Sequence, residues 1–124
     1  MPHLILSGEL AWERAEKGLG SSVHRFGRAV LKIETCWRRA DRRALLVEGV
    51  VVEHSRPLHP VAVVAERGDG ISIRLWPHSV VERTPAVQRW LAVVAAELQR
   101  LGAGPVSATN IAAELLADLP LARA

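Results

Sequence analysis

The segment Cys36-Trp37-Arg38-Arg39-Ala40-Asp41-Arg42-Arg43-Ala44 gathers a thiol, an indole and four guanidinium groups around one carboxylate. Guanidinium presents a planar fork of donors that matches phosphate oxygens, and an indole offers a face on which a base can stack. Arg38, Arg39, Arg42 and Arg43 with Trp37 are therefore candidates for an anion or nucleic-acid site, and Arg28 and Lys32 would extend its footprint. The competing reading is a charged, solvated hairpin tip that discourages edge pairing. Between Ser21 and Leu46 seven basic residues face two acidic ones, a local charge of +5 in a chain of net +3. The rest of the chain is thus net negative, and this asymmetry says more than the total. A sequence pI near 10 overstates the basicity, because there is no tyrosine and only two lysines titrate below arginine.

Other chemistry-bearing residues are sparser. His54, His59 and His78 with Glu53 would suit a divalent metal if the fold gathered them, but their spacing matches no recognised site. No metal or other cofactor is assigned. Cys36 is the only cysteine, so an intramolecular disulfide is impossible; a thiol beside arginines is either reactive or a small half-buried strand residue. Glycine-rich phosphate loops, nucleophile elbows and zinc helices do not occur in the sequence. Glu48 and Glu53 lie five apart, on opposite faces of a regular strand, and cannot form a paired acid–base site. An enzyme is the less favoured class, and no catalytic residue is assigned.

The elements that must position these residues follow from apolar periodicity. Leu4 to Leu6 is a short apolar piece, followed by a helix opened by Ser7 and closed by Gly18 and Gly20. From Val23 the period becomes two, with Ala29, Leu31, Ile33, Thr35 and Trp37 on one face of a strand. Leu45 to His54 is a second strand, apolar on both faces around Val50 to Val52, as in a central strand or one covered by a partner. Val61 to Glu66 and Ile71 to Trp76 make a third and a fourth, joined by an Asp69-Gly70 turn. Thr84-Pro85 opens a long helix with Val87, Trp90, Leu91, Val94, Leu98 and Leu101 as its stripe, and a shorter helix capped by Ser107 or Thr109 follows.

The expected fold is α+β, one domain over residues 1–124. A four-stranded antiparallel meander is covered on one face by the 85–101 helix, with short N- and C-terminal helices. Trp12 and Trp76 fall near the polar sides of their elements. With Val50 and Val52 they are candidates for an interface, which suggests a homodimer. The first eighteen residues lack the pattern of a signal peptide, and no apolar run is long enough to span a bilayer, so a cytoplasmic protein without membrane contact is expected. The leading functional reading is a small non-enzymatic, homo-oligomeric binding or adaptor domain. The alternative is a phosphate-backbone or nucleic-acid-binding module built on the arginine hairpin, which would equally suit an acidic protein. A small enzyme or metal protein around His54, His59 and His78 stands third.

Overall fold

The structure is a computed structural model that describes every residue except Arg42. Its elements run β1 (His3–Ser7), α1 (Trp12–Gly18), β2 (Ser22–Phe26), β3 (Ala29–Arg38), β4 (Ala44–Glu53), β5 (Arg56–Leu58), β6 (Val61–Arg67), β7 (Gly70–Leu75), α2 (Pro85–Arg100), β8 (Val106–Thr109) and α3 (Ala113–Leu116). The class is α+β, with 22% helix and 41% strand in one curled antiparallel sheet and one main helix.

The sheet is larger than the four strands expected. Eight strands take part, in the order β2-β3-β4-β6-β7-β1-β8, with β5 added beside β4. The strands beyond the expected four are β1, β2, β5 and β8. The apolar piece at the N-terminus is strand β1, inserted between β7 and β8, so Ser7 ends a strand and does not cap a helix; its hydroxyl donates to the Pro105 carbonyl. Helix α1 starts five residues later, with no side-chain cap. The strand read from Val23 is two strands, folded back at Gly27-Arg28, where Gly27 takes a φ of +60° that suits a two-residue hairpin. Ser107 and Thr109 belong to strand β8, each donating a hydroxyl hydrogen to a β1 carbonyl, so neither caps the last helix.

Helix α2 matches its signals closely. The Thr84 hydroxyl accepts from the Val87 amide at 3.1 Å, and Pro85 occupies the first turn, where its missing N–H leaves no bond unmade. The whole expected stripe is buried, and so are Ala86, Ala92, Val93 and Ala95. Burial extends this far round because the sheet curls about the helix, and the small alanines let the backbones approach.

Trp90 fixes the seam. Its side chain is fully buried, and its indole N–H donates to the Lys32 carbonyl of β3 at 2.8 Å. It fills the gap left at Gly49, the one position on the inward face of β4 without a side chain. A Cβ there would stand 2.4 Å from the indole nitrogen and 2.3 Å from the Lys32 carbonyl oxygen. Beside this contact β3 carries a bulge: Ile33 faces Gly49 while Thr35 faces Glu48, leaving Glu34 as the extra residue. The bulge reverses the faces expected after Ile33. Cys36 and Arg38 turn toward the core, and Thr35 and Trp37 turn outward.

Gly49→Ala is expected to destabilise the protein by about 1–3 kcal/mol through overpacking at the indole. Gly20→Ala, where an added Cβ meets nothing, is expected to change stability by less than about 0.5 kcal/mol. Urea denaturation of the two variants checks the difference; equal effects would remove Trp90 from its assigned role.

Candidate functional site

The β3–β4 hairpin forms where expected, closed by the Arg39 amide donating to the Ala44 carbonyl. Its arginines are dispersed among carboxylates. Arg38, turned inward by the bulge, meets Glu16 of α1 at 3.3 Å. Arg39 pairs with Asp41, and Arg43 reaches Glu66 of β6 at 2.8 Å. Arg42, the fourth candidate, lies outside the described residues. Asp41 is held below the usual carboxylate range, chiefly by its hydrogen bond from Arg39 and then by the Arg43 amide. A phosphate at this tip has to displace a carboxylate from every guanidinium that is described. Trp37 is 59% exposed, and its indole N–H donates to Glu48 on the neighbouring strand.

Beside the tip lies an open recess of about 500 Å³ between the β1–α1 connection, the β3–β4 hairpin and the β6–β7 hairpin. Arg38 and Arg43 line it together with Glu9, Asp41, Glu66 and Asp69, and Trp12 forms part of its wall. Among the described lining residues, carboxylates outnumber arginines.

A group of cations without an ion pair lies around the other end of the same strand. Arg25, Arg28 and Lys32 make no ion pair among the described residues. Across the β2–β3 pairing Arg25 faces Val30 and Lys32 faces Val23, so the two cations are diagonal neighbours, and Arg28 lies in the turn. The two halves of the proposed footprint are thus separated along β3: Arg28 and Lys32 accompany Arg25, not the hairpin tip.

The interface candidates also divide. Val50 and Val52 lie on the outer, convex face of β4, since Leu45, Val47 and Val51 point into the core. Trp76 continues the outward alternation of Ser72 and Arg74, and its ring meets His78 edge-on with centroids 5.0 Å apart. Trp12 packs against the core from the concave side, so one flat surface cannot contain it together with Val50. His54, His59 and His78 are each exposed. Among the described residues, no group of three or more His, Cys, Asp or Glu side chains is placed to hold a metal ion. His54 and Ser55 form the β4–β5 turn, with φ of 54° and 59°. Such left-handed conformations suit glycine or asparagine, and non-glycine residues adopt them at an energetic penalty.

Cys36 is half-buried on the core side, and burial pushes its thiol up to about 12, with Glu16 adding to the rise. The sulfur is therefore protonated at neutral pH, which removes the nucleophile that a reactive role requires. The folded state keeps a proton that the unfolded state releases, so stability falls as pH rises from about 9 toward about 12. Two results are expected: slow disulfide exchange with an aromatic disulfide in the native state that becomes fast in urea, and a flatter alkaline stability profile in Cys36→Ala. Rapid native labelling would contradict this account of the thiol.

Among the described residues, no helix is long and apolar enough to cross a membrane. No family model, curated protein or solved structure matches this chain.

Proposed function

We propose that the chain is a non-enzymatic, homo-oligomeric binding or adaptor domain that pairs with a second copy through the outer face of its sheet. The observation that carries this reading is the one-sided packing of the fold. Helices α1 and α2 pack on the concave side, and α3 packs against α2. The convex face of the central strands is left with Leu46, Val50, Val52, Val61 and the largely exposed Trp37. Exposed apolar side chains grouped on one face, here with Glu48 among them and Lys32 beside Val50, are characteristic of association surfaces. The polar recess supports binding over catalysis, since its arginines are engaged by carboxylates and the one thiol is protonated.

The test is the mass of the protein in solution. A dimer is expected, and Val50→Lys is expected to weaken it about a hundredfold, or about 2.7 kcal/mol, without loss of secondary structure. A monomer at all accessible concentrations would dismiss self-association.

A second reading, phosphate-backbone binding, is favoured by the protruding Trp37 beside Arg39 at the hairpin tip. It predicts binding to generic DNA or RNA that weakens with salt by roughly 0.9 log units per log unit for each phosphate contacted. Arg39→Gln is expected to reduce that slope by about one contact. Absence of a mobility shift at low salt would end this reading.

A further inference from the structure

The strand path β2-β3-β4-β6-β7-β1-β8 has two ends, and the molecule treats them differently. On the β8 side the C-terminal segment covers the strand: the Val106 amide donates to the Ala122 carbonyl and the Ala124 amide donates to the Val106 carbonyl, both at 2.9 Å. On the opposite side β2 pairs with β3 alone. In its two-residue hairpin Phe26 and Ala29 are the flanking pair. They exchange both ladder bonds, and alternate pairs do the same. Val23 and Arg25 are therefore the residues whose amides and carbonyls point away from β3, and neither has a backbone partner among the described residues.

Alongside this open edge runs a groove of about 470 Å³. His24 and Phe26 of β2 form one wall, Val93 and Ala96 of α2 form the floor, and Leu119 and Pro120 form the far wall. A strand added to β2 would send alternate side chains over this mainly apolar floor. Its remaining side chains would fall on the outer face, beside Val23, which is 54% exposed, and beside the unpaired Arg25, with Arg28 and Lys32 close by.

We propose that β2 is a docking edge for an extended segment of another protein in which acidic residues alternate with apolar ones. Main-chain bonds to Val23 and Arg25 supply the pairing, the groove receives the apolar side chains, and Arg25, Arg28 and Lys32 select the acidic ones. The same charges argue against a second copy as occupant. Edge-to-edge pairing of two β2 strands would bring Arg25, Arg28 and Lys32 of each chain against the like charges of the other. A nucleic acid is less well matched, because neither ring here offers a free face for stacking: Phe26 is half-buried beneath the Arg89 guanidinium, 5.1 Å from its centroid, and the half-buried His24 ring contacts Ser22 and Glu97. The inference does not rest on self-association through the convex face.

The probe is a fluorescein-labelled peptide of sequence Glu-Val-Glu-Ile-Glu-Val-Glu, titrated by anisotropy and by amide NMR into the full chain and into its Val50→Lys variant. Saturable binding to both proteins is expected, with new exchange protection at the Val23 and Arg25 amides. The exposed-edge substitutions Arg25→Glu and Val23→Pro are each expected to weaken it at least tenfold, and a peptide with lysine in place of glutamate is expected not to bind. Four results would overturn the proposal: no binding up to about 1 mM peptide; binding that Val23→Pro leaves unchanged; a dimer of the free protein abolished by Val23→Pro but not by Val50→Lys; or oligothymidylate binding sensitive to Arg25→Glu while the peptide fails to bind.

Discussion

The architecture depends on one contact between helix and sheet. Trp90 fills the space over Gly49 and ties its indole N–H to the Lys32 carbonyl, and this locks the middle of α2 onto β3 and β4 beside the bulge. A buried indole has to place its N–H on an acceptor, so the contact fixes an orientation as well as a position. With the helix held there, the strands to either side curl around it until α2 is buried over most of its circumference. The concave side is then occupied by the protein's own core. The outer face, the edges and the ends of the sheet remain outside that core.

The same bulge decides what the arginine segment presents. Regular alternation would have turned Trp37 inward and Arg38 outward. One extra residue at Glu34 exchanges them, exposing the indole and sending Arg38 to Glu16. Arg43 is engaged by Glu66 from a strand more than twenty residues away. These exposed or partly exposed pairs contribute little to stability, yet they lower the positive potential that the local sequence suggests. Net charge over the Ser21–Leu46 window covers both groups of cations and does not distinguish those that carboxylates engage from those they leave alone. The cations at the β2–β3 hairpin, Arg25, Arg28 and Lys32, make no ion pair among the described residues.

Elements whose signals are local were readable beforehand. Thr84-Pro85 and a six-residue stripe define α2, and the alternation on either side of the arginines defines the β3–β4 hairpin. What escaped depends on distant pairing. β1 is too short to declare itself until β7 and β8 enclose it, and β5 exists only through β4. Gly27-Arg28 lies within a continuous alternating run and is a weak turn signal on its own. Ser107 and Thr109 resemble helix caps, but their hydroxyls serve β1. Of the four interface candidates, Val50, Val52 and Trp76 lie on the outer side of the sheet and Trp12 packs against the core from the concave side, a division that depends on which face the helices cover. The open edge at Val23 and Arg25 had no signature in the sequence, because edges are properties of strand order.

A sheet wound on its own helix, capped at β8 and left open at β2, is a scaffold whose outer backbone and side chains are available to other chains. The most direct measurement of this claim is residue-resolved amide hydrogen exchange of the dilute, unliganded protein. The account predicts deep protection along the strands flanking the Trp90 contact, including Ile33 and Val51, and rapid exchange at Val23 and Arg25. Protection of Val23 and Arg25 equal to that of Val51 in the free monomer would contradict it, since β2 would then not be an edge open to a partner.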